Sequence, residues 1–172
     1  MVKHIAFLRW LLIAAVTFVG AYFCNKFGLF AEIYEKDWSY ISVSIAAVFV
    51  VTTTWCGIKT FVLSSDINKS EILGIPVNVK KTENLEEIGW FIAEQFTVWG
   101  FIGTVVGIVY ALNGFVGVDT ANPAAVQKLI ANLVYGMSTA LYTTLAGLVC
   151  SFFLKLQYIN LGHARRKALT DE

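Results

Sequence analysis

Four apolar segments constrain this chain before anything else does: Ile5 to Cys24, Ser39 to Val62, Trp90 to Val118 and Leu129 to Leu156. Each reaches or exceeds the roughly 20 residues needed to cross the hydrocarbon core of a bilayer. At 172 residues, 57% hydrophobic and 15% charged, the chain is too apolar for a soluble domain of its size. An even number of crossings puts both ends on one side. Lys3, Arg9, Lys59, Lys69, Lys80, Lys81, Lys155, Arg165, Arg166 and Lys167 fall on the side of the termini, against Lys26, Lys36 and Lys128 opposite. By the positive-inside rule both termini are cytoplasmic. A net charge of +1 gives no footprint for nucleic acid, so the expected surroundings are a lipid bilayer and other membrane helices.

The last two segments differ from the first two. On a helix advancing about 100° per residue, Gly100, Gly103, Gly107, Ala111 and Gly114 fall on one arc, edged by Thr97 and Thr104. In the final segment Gly136, Ala140, Thr143, Gly147, Cys150 and Ser151 make a narrow face flanked by Thr139 and Thr144, with Leu141, Leu145, Leu148 and Phe152 behind. Lipid tails are as apolar as leucine, so close helix contact in a bilayer relies on small residues that let backbones approach. Gly103, Gly107, Ala111, Gly136, Ala140 and Gly147 are therefore expected to line a pore or a helix contact.

The connections carry local signals. Asn25 to Trp38 mixes aromatics and charges as an interfacial segment does. Ser64-Ser65-Asp66 and Gly74-Ile75-Pro76 read as turns, and Asn84-Leu85-Glu86-Glu87 as a helix start with an N-cap and acids in the first turn. Asn122-Pro123 reads as a second cap, and Gly162 as a helix stop, with Arg165-Arg166-Lys167 a solvated positive end. Helices with these bounds are about 42 and 58 Å long, exceeding the bilayer core, so both are expected to extend into the cytoplasm. Cys24, Cys56 and Cys150 lack metal or redox spacing, and neither His4 nor His163 has a ligand cluster beside it. Without a nucleophile–base pair or phosphate loop, the chain is not expected to be an enzyme, and no cofactor is implied.

No Asp, Glu, Lys, Arg or His occurs between Gln95 and Leu112 or between Leu129 and Leu154. These helices cannot relay a proton through a titrating side chain of their own at mid-membrane. They offer hydroxyls instead, of which Thr104, Thr139, Thr143 and Thr144 are the candidates for an ion path. The bland alternative is a threonine bonding the carbonyl one turn back. Glu94, at the inner end of the third span, is either a solvated headgroup-level carboxylate or a cation-attracting group at the mouth of a path.

These residues carry a resemblance. Gly103-Thr104-Val105-Val106-Gly107-Ile108 is similar to the GTVxGI segment of the MotA/TolQ/ExbB ion-channel family, and Thr144-Leu145-Ala146-Gly147-Leu148-Val149 to the TAxGLV segment of TolQ and ExbB. Tyr158 falls where those proteins have a tyrosine. Thr139 stands where they have a glutamate and Phe153 where they have a proline. The resemblance covers roughly residues 85 to 160.

It implies an all-α membrane protein with four transmembrane helices, the last two long, assembled as a homopentamer around a central pore in a bacterial inner membrane. Residues 1–63 would form a lipid-facing helix pair, 64–84 a short cytoplasmic connection, 85–162 the pore-forming pair and 163–172 a cytoplasmic tail. The implied partner is a single-pass MotB/TolR/ExbD-like protein in two copies, whose transmembrane aspartate carries the ion that this chain lacks a group to carry. The implied function is the pore-forming subunit of an ion-driven rotary motor or energy-transducing complex. A four-span scaffold without conduction is the alternative. The transported ion is expected to be a proton, with sodium the alternative because paired threonines such as Thr143-Thr144 resemble sodium-driven stators.

Overall fold

A computed structural model describes residues 5–37, 40–73, 80–115 and 122–170. Their regular structure is five helices: α1 (Ile5–Lys26), α2 (Leu29–Lys36), α3 (Ile41–Leu73), α4 (Lys80–Asn113) and α5 (Pro123–Thr170). Four of these contain stretches long and apolar enough to cross a membrane, Ile5–Lys26, Ile41–Ile67, Glu86–Asn113 and Pro123–Arg166. The expected all-α, four-span architecture is thus present. The span ends expected at Ser39 and Val118, the Gly74-Ile75-Pro76 turn and most of the hairpin between Asn113 and Asn122 lie outside the described residues.

The β-branched run of α3 would favour a strand in water, but a lone span in lipid has to satisfy its own backbone groups and so is helical. Its length corrects one expectation. Ser64-Ser65-Asp66 does not turn but continues α3, because Leu63 and Ser64 are buried and Ile67 packs on the same core. Likewise α4 begins at Lys80, so Asn84 is an exposed position within the helix and not its cap. Asn within a helix costs well under 1 kcal/mol relative to Ala, too little to force a boundary. At about 51 and 72 Å, α4 and α5 both exceed the bilayer core.

Two local readings hold. Asn122 caps α5, its Oδ1 accepting the Ala124 N–H at 3.0 Å, with Pro123 in the first helical position. The aromatic and charged stretch after α1 folds into α2, with Phe27, Phe30, Tyr34 and Tyr40 exposed. Gly28, at φ 74°, supplies the left-handed break that separates α1 from α2. Asp37 then buries its carboxylate at the start of α3, where Oδ2 accepts the Ser42 N–H at 2.8 Å. The Tyr135 hydroxyl donates to the Glu35 carbonyl at 3.1 Å, tying α2 to α5.

Ile45, Cys56 and Leu63 of α3, Ala93 and Phe96 of α4, and Leu154, Tyr158 and Leu161 of α5 form the buried core. So α3, expected to face lipid with α1, gives one face to the core and leaves Val50, Val51, Trp55 and Ile58 on the other. No residue of α1 is buried. It leans on the bundle through Trp10, whose ring lies against Gly57 of α3 and stacks on Phe7 at 5.7 Å.

Candidate functional site: the open face of the α4–α5 hairpin

The two small-residue stripes meet each other. Gly100 lies under Thr144 and Gly147, Gly103 under the Thr143 side chain, and Gly147 against the Phe96 carbonyl. A Cβ added to Gly107 would stand 2.7 Å from the Gly136 carbonyl oxygen and 2.9 Å from the Ala140 Cβ. One added to Gly136 would stand 2.7 Å from the Ala111 Cβ. All six expected small residues, Gly103, Gly107, Ala111, Gly136, Ala140 and Gly147, are buried in this one contact. Of the two roles expected for them, pore wall or helix packing, the geometry is that of packing within the chain. The physical reason is that two backbones approaching this closely leave no surface between them for a third group.

The hydroxyls divide into two sets by helical register. On α5, Thr144 lies about 40° from Ala140, towards exposed Leu141, Leu145 and Leu148, whereas Thr139 and Thr143 lie on the opposite flank with Cys150 and Gln157, the flank on which Gln157 reaches Thr53 of α3. On α4, Thr97 and Thr104 lie about 60–80° from Gly107, on the flank of Trp90, Phe101 and Ile108. Because α4 and α5 are antiparallel, these Thr97, Thr104 and Thr144 flanks are the same side of the hairpin. Glu94 is exposed further round that side.

Of the five residues expected on an ion path, Thr104, Thr144 and Glu94 therefore share the open face, and Thr139 and Thr143 do not. Thr143 is fully buried and donates to the Ala140 carbonyl at 2.9 Å, while Thr139, 3% exposed, donates to Tyr135 at 3.2 Å. Both adopt the local backbone bonding weighed as the bland reading. Thr144 is different: its hydroxyl is partly exposed and reaches the Gly100 carbonyl of the facing helix at 3.1 Å, sharing its other bond with Ala140. Thr104 is partly exposed and bonds the Phe101 carbonyl.

Towards the end of the bundle where α1 begins and α5 finishes, the same face widens into a groove of about 420 Å³ lined by Glu86, Glu87, Trp90, Phe91, Glu94 and Arg165. Lys155 places its ammonium 5.9 Å from the centre of the Trp90 ring. Arg165, expected in a solvated tail, pairs with Glu86 at 3.3 Å and is only 18% exposed. Gly162 explains why: α5 runs through it, and a Cβ there would collide with the Glu86 carboxylate. The glycine permits a close approach and does not stop the helix.

One polar cluster escaped the sequence reading. Gln157, fully buried in α5, accepts the Trp10 indole N–H at 3.2 Å and donates to Thr53 at 3.4 Å, and Asn160 donates to the Ala6 carbonyl at 2.8 Å. This clamp holds α1 and α3 to the back of the hairpin, away from its open face. A glutamine and an asparagine just past the inner end of the last apolar segment were the available signal, but their partners lie more than 100 residues away.

The model of the MotA/TolQ/ExbB proton channel family matches residues 77–171, more than half of the chain and the whole of α4 and α5. No curated protein and no solved structure matches the chain. With the match covering the hairpin that carries the small-residue contact and the threonine face, the chain belongs to the MotA/TolQ/ExbB proton channel family.

Proposed function

We propose that this chain is the pore-forming subunit of an inner-membrane, ion-driven rotary motor or energy-transducing complex. In this reading five copies turn the open faces of their α4–α5 hairpins to a central pore around two copies of a single-pass partner. The observation that carries it is the face itself: Thr104 and Thr144 sit about one helical turn apart on an otherwise apolar surface, with Glu94 nearer the end where α1 begins and α5 finishes. No Asp, Glu, Lys, Arg or His lies between Gln95 and Leu112 or between Leu129 and Leu154, so the ion-carrying carboxylate comes from the partner. Hydroxyls beside its route, their protons held by backbone carbonyls, accept from water and from the partner's carboxyl when it is protonated. Both termini lie in the cytoplasm, and Glu94 draws cations to the inner mouth.

The proton is the favoured ion. Sodium needs several oxygens in place of its hydration shell, and the burial of Thr143 leaves Thr144 as the one member of the threonine pair on the open face.

Thr144→Val tests the reading. The substitution removes one hydroxyl and keeps the shape, and an interhelical hydrogen bond in a membrane is worth about 0.6 kcal/mol on average, so the complex is expected to stay assembled. Ion flux into vesicles holding the chain with its co-purified partner is expected to fall to background. Unchanged flux removes Thr144 from the path, and flux that requires sodium overturns the proton assignment. Recovery of the native chain with no single-pass partner sinks the motor reading as a whole.

A further inference from the structure

On the other side of α5 a second groove, about 310 Å³, runs between α1 and α5 and is lined by Arg9, Leu12, Ile13, Leu156, Ile159, Asn160 and His163. Its walls are almost wholly apolar, and its cations stand at the rim. Arg9 and His163 stand towards the ends where α1 begins and α5 finishes, and both are exposed. Leu12, Ile13 and Leu156 lie about one turn or more deeper along the two helices. The Asn160 amide bonds the Ala6 carbonyl at 2.8 Å and so fixes the two helices side by side at the base of the groove.

Depth decides what such a groove holds. Arg9 is about 26 Å along α1 from Lys26, close to one hydrocarbon thickness, so its guanidinium reaches the headgroup layer while the aliphatic walls stay among the acyl chains. An arginine binds a phosphate through a planar fork of N–H donors, and a basic pocket between membrane helices favours an anionic headgroup. We propose that the α1–α5 groove is a binding site for an anionic phospholipid, whose phosphate sits at Arg9 and His163, beside Ile159, and whose first acyl carbons lie against Leu12, Ile13 and Leu156. The lipid would cover the joint that the Trp10–Gln157 clamp closes from within. The site rests on the chain spanning a bilayer and not on ion conduction, so it stands or falls apart from the pore reading.

The full chain, reconstituted into vesicles of phosphatidylcholine and phosphatidylglycerol in equal amounts, carries a trace of one or the other lipid bearing a photoactivatable acyl chain. Crosslinked peptides are then mapped by mass spectrometry. Photoactivatable phosphatidylglycerol is expected to label α1 and α5 peptides around Leu12 and Leu156 in preference to phosphatidylcholine. Arg9→Gln is expected to reduce that preference about five-fold, and Arg9→Gln with His163→Gln further. Lys59→Gln, which removes a cation lying over Trp55 on α3, is expected to leave it unchanged. Equal labelling by the two lipids overturns the proposal, as does a preference that survives loss of Arg9. Chain-to-chain adducts at Leu156 in place of lipid adducts would assign the groove to a neighbouring subunit and overturn it too.

Discussion

Gly107→Ala is a sharper probe of the hairpin than a bulky substitution, because a single methyl is enough to test the contact. The new Cβ would lie 2.7 Å from the Gly136 carbonyl oxygen and 2.9 Å from both the Cβ and the backbone nitrogen of Ala140, against 3.4 Å or more in ordinary contacts. Two of these three neighbours are backbone atoms, which cannot rotate away. The helices therefore have to part by about half an ångström, a gap that forfeits roughly a quarter of each dispersion contact along the stripe. The Thr144–Gly100 hydrogen bond, now 3.1 Å, lengthens beyond useful reach. Overpacking of this kind costs about 1–3 kcal/mol. Alanine itself recovers up to about 1 kcal/mol of helix propensity, and that gain has to be subtracted. Gly20, in α1, has no heavy atom within 4 Å of its added Cβ, so Gly20→Ala measures the gain alone. Thermal unfolding of both variants in the same detergent isolates the contact: Gly107→Ala is expected to melt about 5 °C below Gly20→Ala. If the two melt together, α4 and α5 do not touch at Gly107, and the assignment of the small residues to packing within the chain is wrong.

Three further outcomes are expected from the same assay. Gln157→Leu orphans the Trp10 indole N–H and the Thr53 hydroxyl and should cost about 1–2 kcal/mol, and combining it with Trp10→Phe should cost less than the sum of the two. Asp37→Ala removes the acceptor for the Ser42 N–H at the start of α3 and should cost about 1 kcal/mol, most of which Asp37→Asn should restore. Gly162→Ala should destabilise despite its better helix propensity, because the new methyl displaces Glu86 from Arg165; a stabilised variant would mean that the Glu86 side chain moves aside without cost and that its pair with Arg165 contributes little.

The spans were legible because a bilayer imposes one requirement, internal satisfaction of every backbone group, and the apolar runs from Ile5 and into the later segments meet it by composition alone. The stripes from Gly100 to Ala111 and from Gly136 to Gly147 were legible because helical periodicity gathers them whatever the helix meets. What they meet was not legible, since a pore wall and a helix contact ask for the same small residues. Short-range signals failed where packing outweighed them: Asn84 is a good cap inside a helix, and Gly162 a good stop inside one.

The threonines show the limit most clearly. Thr143 and Thr144 are neighbours of one type, and nothing local separates them. Only the packing of α5 on α4, where the Thr143 side chain lies over Gly103 and the Thr144 hydroxyl reaches the Gly100 carbonyl, buries the one and leaves the other at the edge of the open face. A rotation of about 100°, one residue of helix, thus changes the number of oxygens on the open side of the hairpin. The sequence pair resembles a sodium site, while the folded hairpin presents one hydroxyl from it and already bonds that hydroxyl to the Gly100 and Ala140 carbonyls. With its one proton shared between those carbonyls, the hydroxyl is left to accept from water or from a protonated partner carboxyl, and alone it falls short of a cation's coordination shell.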